Sequence, residues 1–94
     1  MYFDYQRAMI NYKKVYTNYF GYVEQDIIPS EKSGQPANHI HHIVLKSHGG
    51  KDVIENLIAL TNREHQQAHR LDKEKFISEE ELSEIHKRFM DKTS

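Results

Sequence analysis

A chain of 94 residues without cysteine excludes disulfide bonds and any zinc site built from thiolates. Its length predicts one domain over 1–94, and a formal net charge of −1 gives no sign of the basic surface that nucleic-acid-binding proteins usually carry. No apolar run approaches the roughly 20 residues that span a membrane, and no signal-peptide pattern opens the chain, so we expect no membrane partner and a cytoplasmic location.

The first segment, 1–21, is rich in tyrosine and predicts an amphipathic helix. Asp4 is the expected N-cap, and Gly21 can supply the left-handed residue that ends the helix. Its apolar stripe follows helical spacing through Tyr5, Ala8, Met9, Tyr12, Val15, Tyr16 and Tyr19. We expect this stripe to pack over the histidine-rich segment; stacking on unpaired bases and a dimer interface are the alternatives.

The middle of the chain predicts two strands. A short extended segment at 22–28 and a polar connector at 29–36 come first. An apolar, β-branched run then predicts a strand over 39–45, ended by a turn at the Gly49–Gly50 pair. After an irregular loop at 51–55, Asn56 is expected to open a second strand, Leu57 to Leu60.

Two helices are expected to follow, each opened by a capping box. Thr61 with Glu64 starts the first, and Ser78 with Glu81 starts the last, over 78–91. The last helix has an apolar stripe of Leu82, Ile85 and Phe89. Together these elements predict an α+β fold.

Six of the seven histidines lie between His39 and His69. His65 and His69 are four positions apart on a predicted helix, so their rings can reach one ion. Because strand residues alternate faces, one of His41 and His42 can face this pair while the other stays metal-free. Three imidazoles on a metal beside a free imidazole suit metal-assisted hydrolysis.

This segment resembles the HNH endonuclease family. The resemblance is carried by the His41–His42 pair, Gly49–Gly50, Asn56–Leu57, Leu60, and then His65 and His69. The spacing is similar to that of colicin-type DNases, and the run L-T-N-R-E-H-Q-Q-A-H is similar to short phage and homing HNH proteins. It implies a ββα-metal (His-Me finger) core at 39–75 between an N-terminal and a C-terminal helix.

The resemblance also implies residue roles. His41, His65 and His69 match the metal ligands, and His42 matches the general base. Asn56 matches a residue that fixes the base-bearing strand and loop, or in some members ligates the metal. Many members carry cysteine pairs for a second, structural zinc. This chain has none, so its stability must come from packing.

The metal is expected to be one divalent ion. Three imidazoles without a carboxylate favour zinc, nickel, cobalt or manganese, and magnesium becomes possible if Asn56 or phosphate oxygens complete the shell. Basic residues near the site in sequence are the expected nucleic-acid contacts, with Arg70 the leading one: Arg70, Lys46, Lys51, Arg63 and His39.

The main hypothesis is a metal-dependent endonuclease that nicks or cuts DNA and leaves a 5′-phosphate and a 3′-hydroxyl. With so little positive charge, its DNA affinity should be weak and salt-sensitive, so sequence recognition calls for a homodimer or a partner protein, or for neither if cleavage is nonspecific. Two alternatives remain. One is a non-catalytic metal- and DNA-binding module, and the other is a nuclease subunit of a larger phage or defence assembly.

Overall fold

A computed structural model describes residues 11–72 and 75–93 of the chain. Within these residues three helices, α1 (Tyr12–Phe20), α2 (Asn62–Ala68) and α3 (Glu79–Thr93), accompany two strands, β1 (His39–His42) and β2 (Leu57–Leu60). The chain order β1, β2, α2 gives the predicted ββα arrangement, and the α+β fold class is confirmed. None of the described helices is long and apolar enough to cross a membrane.

The two strands form an antiparallel pair in which His39 lies opposite Leu60 and His42 lies opposite Leu57. Residues opposite each other share a face of the sheet, and neighbours along a strand do not. His41 therefore shares a face with Ile58, whereas His42 lies on the opposite face.

Both faces of this small sheet are covered by apolar residues. One cluster, on the side of α2 and α3, comprises Ile43, Ile58, Leu60, Ile77, Leu82 and Ile85. The other, on the side of α1, comprises Tyr16, Ile40, Leu57 and Ala59. All four residues of β2 are buried, which explains why that strand reads as an uninterrupted apolar run.

The predicted N-terminal helix is wrong in one respect, because it does not run unbroken through Asn11. The backbone of Asn11 is extended (φ −85°, ψ 92°), and its side chain accepts a hydrogen bond from the Lys14 N–H. Asparagine favours this N-cap geometry, since its side chain replaces a missing helical partner. The expected cap Asp4 lies outside the described residues. Gly21 ends α1 in the left-handed conformation, as predicted.

The predicted tyrosine stripe covers the sheet in part. Tyr16 is fully buried and Tyr12 is half-buried, whereas Tyr19 remains about half exposed at 52%. The extended segment expected at 22–28 forms no strand, and the nearby pairing is a single bridge between Pro29 and Pro36.

Strand β1 ends at His42 and not at Leu45 as predicted. The Asn56 side chain bonds both the N–H and the carbonyl of Val44, which a longer ladder would have paired with backbone. Short 3-10 turns follow at Lys46–His48 and at Ile54–Asn56. Asn56, expected to open the second strand, thus closes a turn directly before β2, and this turn begins within the predicted irregular loop at 51–55.

The helix starts follow the sequence closely. Thr61 and Glu64 form the predicted reciprocal capping box of α2. The Ser78 hydroxyl accepts a hydrogen bond from the Glu81 N–H at the start of α3. Helix α2 ends at Ala68, so His69, predicted to lie on the helix, is its C-cap, and Arg70 adopts a left-handed backbone (φ 61°).

Candidate active site

Three imidazoles from different parts of the ββα unit converge on one point. His41 comes from β1, His65 from α2 and His69 from the C-cap of α2. One ring nitrogen from each lies within 4.8 Å of the others, and the Nε2 atoms of His65 and His69 are 3.1 Å apart. Nitrogen ligands about 2.0–2.1 Å from a zinc ion lie roughly 3.3 Å apart, so the triad fits one divalent ion.

The surroundings of the triad lower the pKa of two of its rings, His41 and His65. Burial, with the nearby His65 and His69 rings, lowers the pKa of His41 from its ordinary value to about 4. Burial, with the nearby His39 and His69 rings, lowers the pKa of His65 to about 4 as well. Metal ligation requires neutral imidazole, and both rings are neutral well below pH 7.

His39 lies beside the triad but does not belong to it. Its ring stacks on that of His65, with centroids 4.2 Å apart, and its Nε2 lies 3.0 Å from Oδ1 of Asn62. Since an amide oxygen only accepts, Nε2 of His39 carries the hydrogen. The ring therefore supports His65 from outside the triad. A nucleic-acid contact by His39 remains a prediction.

The neighbouring His42 is held apart from the triad on the other face of the sheet. Its Nε2 lies 2.6 Å from Oδ1 of Asp52, and its ring packs against Tyr12 with centroids 4.5 Å apart. The second oxygen of Asp52 accepts a hydrogen bond from Nζ of Lys46 at 2.7 Å. Hydrogen bonds from Lys46 and His42 lower the pKa of Asp52, so this carboxylate is ionised at neutral pH.

Asn56 ties together the loop between the two strands. Its Oδ1 accepts from the Val44 N–H at 2.8 Å. Its Nδ2 donates to the carbonyls of Val44 and Lys51 at 3.1 and 3.0 Å. Each amide atom is thus engaged with the backbone, and whether Asn56 serves catalysis through this arrangement remains a prediction.

An open cavity of about 400 Å³ adjoins the triad. His41 and His69 line it together with His48, Arg70 and Phe76. The guanidinium of Arg70 lies over the Phe76 ring, 4.1 Å from its centroid. A planar cation held in this way can face an anion in the cavity.

The other predicted basic contacts are placed differently. Lys46 is paired with Asp52, and an Arg63 nitrogen lies 3.7 Å from Asp72. Lys51 is exposed, and its backbone carbonyl accepts a hydrogen bond from the Asn56 side chain. Among the predicted basic contacts, Arg70 is the one that lines the cavity beside the triad, and its contact with a phosphate remains a prediction.

Asp52 is the residue that sequence reasoning missed. It lies in the predicted irregular loop, ten positions after His42, and no helical or strand period links the two. The contact exists because the turn through Gly49 and Gly50 brings the chain back beside β1. The only sequence signal was an acidic residue following a glycine turn, which is too common to be diagnostic.

Comparisons with known proteins agree with this geometry. Residues 28–71 match the family model described as HNH endonuclease. A protein of Enterobacteria phage T4, "Probable mobile endonuclease C", is 36% identical over 63 residues, which are 66% of this chain and 29% of that protein. The chain thus spans less than a third of that relative's length.

No solved structure matches the chain at a significant level. The segment matched by the family model contains the three convergent imidazoles, His42, Asp52 and Asn56. Over residues 28–71, the segment that includes the three imidazoles of the triad, the chain is therefore similar to the HNH endonuclease family.

Proposed function

We propose that the protein is a metal-dependent endonuclease that hydrolyses phosphodiester bonds of DNA, with His42 as general base. The observation that carries the proposal is the contrast between two adjacent histidines. His41 joins His65 and His69 in a cluster suited to one divalent ion, while His42 is held apart by Asp52. Hydrolysis needs both a metal site and a metal-free base, and the HNH segment holds candidates for each.

The ligand set consists of His41, His65 and His69. Neutral imidazoles without a carboxylate favour zinc, nickel or manganese, with magnesium possible if further oxygen ligands are recruited. When bound, the ion supplies positive charge to the scissile phosphate and to the leaving 3′-oxygen.

Three side chains of the protein perform the proton transfer, the phosphate contact and the positioning: His42, Arg70 and Asn56. His42 takes a proton from the attacking water, whose oxygen then bonds to phosphorus as the bond to the 3′-oxygen breaks. The departing 3′-oxygen takes up a proton from solvent, so the products are a 5′-phosphate and a 3′-hydroxyl. Arg70, beside the triad, contacts a phosphate oxygen, while Asn56 holds the loop that follows the base.

DNA is the substrate proposed here, because residues 28–71 match the HNH endonuclease family model and the T4 relative is named as an endonuclease. The word "mobile" in that name suggests a role for this chain in a phage or mobile element. A net charge of −1 provides little attraction for a polyanion, so we propose that a homodimer or a partner protein supplies targeting.

The test is cleavage of supercoiled plasmid by the purified protein with magnesium, manganese, nickel or zinc, and with EDTA. We expect nicked or linear product with at least one metal and none with EDTA. The double variant His65→Ala/His69→Ala should be inactive, whereas Glu84→Gln, which changes an exposed residue of α3 outside the cavity, should retain activity. Metal and DNA binding without cleavage under any condition would favour a non-catalytic module or a subunit that needs its partner.

A further inference from the structure

We propose that Asp52 is a positioning residue that orients the His42 ring and fixes its tautomer, so that Nδ1 takes the proton from the attacking water. This inference rests on the proposed function, in which His42 is the general base. It adds to the site a carboxylate that lies outside the metal triad and on the other face of the sheet.

The contact between the two side chains is short and largely buried. Oδ1 of Asp52 lies 2.6 Å from Nε2 of His42, and the two side chains are only 6% and 11% exposed. An ionised carboxylate can only accept hydrogen bonds, so the hydrogen must reside on Nε2. A neutral imidazole carries a single N–H, and its lone pair is then on Nδ1.

The ring has little freedom to leave this orientation. Tyr12 packs against it with the two ring planes inclined by 59°. A flip of the His42 ring would replace the nitrogen facing Asp52 with a carbon and break the 2.6 Å contact. Tyr12 and Asp52 thus select one orientation of the ring.

Asp52 is itself fixed from two directions. Lys46 donates from Nζ to its Oδ2 at 2.7 Å. Asn56 donates to the carbonyl of the preceding residue, Lys51, at 3.0 Å, and also holds Val44 near the end of β1. The strand that bears His42 and the loop that bears Asp52 are therefore linked by the same asparagine.

The second ring nitrogen of His42 is not committed to another described residue. Nε2 holds the contact with Asp52, and no hydrogen bond within the described residues involves Nδ1. Its lone pair is therefore the one left to accept a proton from water, as a general base requires.

The kinetic test is a double-mutant cycle on plasmid cleavage with the full chain. Asp52→Ala and Asp52→Asn should each lower kcat by roughly 100-fold with little change in KM, because general-base catalysis is worth about 10²–10⁴-fold. Asp52→Glu should restore part of the rate, and Asp26→Asn, at an exposed aspartate in another loop, should have no effect. In a His42→Ala background, Asp52→Ala should cause no further loss, since Asp52 acts through His42.

Wild-type cleavage by Asp52→Ala would overturn the inference while leaving the proposed function intact. The inference would also be overturned if Asp52→Ala lowered the cleavage rate as much in the His42→Ala background as in the wild type. Asp52 would then act independently of the base. If the wild-type chain cleaves no DNA with any metal, it is the proposed function that fails.

A second measurement does not depend on activity. Long-range ¹H–¹⁵N NMR of the zinc-loaded chain reports which ring nitrogen of His42 carries hydrogen. We expect Nε2–H in the wild-type protein and loss of that preference in Asp52→Ala. A wild-type ring with hydrogen on Nδ1 would contradict the inference.

Discussion

The side chain of Asn56 forms two hydrogen bonds with the backbone of a single residue, Val44. Its Oδ1 accepts from the Val44 N–H at 2.8 Å, and its Nδ2 donates to the Val44 carbonyl at 3.1 Å. An amide side chain thus stands where a neighbouring strand would otherwise continue the ladder. It ends β1 just after the two histidines that the proposed chemistry uses.

Removing this amide should loosen the loop between the strands. Asn56→Ala deletes the two bonds to Val44 and the one to Lys51, at about 1 kcal/mol each, so we expect the free energy of unfolding to fall by roughly 2–3 kcal/mol. Asn56→Asp keeps the shape but replaces the Nδ2 donor with an acceptor oxygen that faces the two carbonyls of Val44 and Lys51, so it should be at least as destabilising. Urea titration measures both, and a loss below about 0.5 kcal/mol, the range of ordinary surface substitutions, would contradict this account of the loop.

The Gly49–Gly50 pair offers a matched comparison, because the two glycines are needed for different reasons. A Cβ on Gly50 would lie 1.7 Å from the Val44 carbonyl oxygen, whereas one on Gly49 would meet nothing within 4 Å. Gly49 has φ +90°, a conformation that costs other residues about 1–2 kcal/mol.

We therefore expect Gly50→Ala to be much more damaging than Gly49→Ala. The first should lower the free energy of unfolding by about 4 kcal/mol or more, or prevent folding, and the second by about 1–2 kcal/mol. Thermal and urea unfolding of the two variants give the comparison. Equal losses would mean that the backbone of Val44 does not approach Gly50 so closely.

A buried ion pair between His86 of α3 and Glu31 of the connector 29–36 predicts a pH dependence of stability. Nδ1 of His86 lies 2.7 Å from Oε1 of Glu31, and Nε2 lies 2.7 Å from the Ile54 carbonyl oxygen, so both ring nitrogens face oxygen atoms, an arrangement that favours the protonated ring. Tyr16 donates to the other oxygen of Glu31. Burial opposes the charge on His86, but the hydrogen bond and charge of Glu31, with smaller contributions from Ile54 and Glu55, raise its pKa.

A raised pKa means that the folded protein binds this proton more tightly than the unfolded chain. The resulting stabilisation is complete below the unfolded pKa of about 6.5 and is lost as pH rises through the higher folded value. We expect the free energy of unfolding to decrease as pH is raised above about 6.5.

The Glu31→Gln variant should be less stable than the wild type by roughly 3 kcal/mol near pH 6, because His86 loses its buried partner. The difference should narrow at higher pH, where the wild-type ring loses its proton. Glu24→Gln, at an exposed position, serves as the control. If the free energy of unfolding changed with pH in the same way for the wild type and Glu31→Gln, groups other than the His86–Glu31 pair would cause the pH dependence.

The metal triad predicts a difference among the histidines in zinc affinity. His41→Ala, His65→Ala and His69→Ala each remove one of three ligands, so we expect affinity to fall at least 100-fold. His48→Ala should change it by less than about twofold, since His48 lies outside the triad. Isothermal titration calorimetry provides the values. Comparable losses in all four variants would argue against this ligand set.

Local patterns predicted much of this fold from sequence. The capping box of Thr61 and Glu64 marked the start of α2, and four consecutive apolar residues marked the buried strand β2. Strand alternation, together with the spacing of His65 and His69, indicated a three-imidazole cluster with one metal-free neighbour, although it did not decide between His41 and His42. These features depend on neighbours within a few residues, where periodicity and capping chemistry act.

Features that depend on the path of a loop could not be predicted in this way. The approach of Asp52 to His42 follows from the turn at Gly49 and Gly50, and the early end of β1 follows from the Asn56 side chain. The ion pair of His86 and Glu31 joins residues 55 positions apart. Each of these contacts joins residues that are distant in the sequence, so no local sequence pattern predicts it.

The most direct test of the central claim compares the wild-type chain with His42→Ala in plasmid cleavage. Both are measured at a metal concentration that calorimetry shows to be saturating. We predict equal metal affinity and a cleavage rate at least about 100-fold lower in the variant, since only the general base is removed. Cleavage by His42→Ala at the wild-type rate with metal bound would contradict the account.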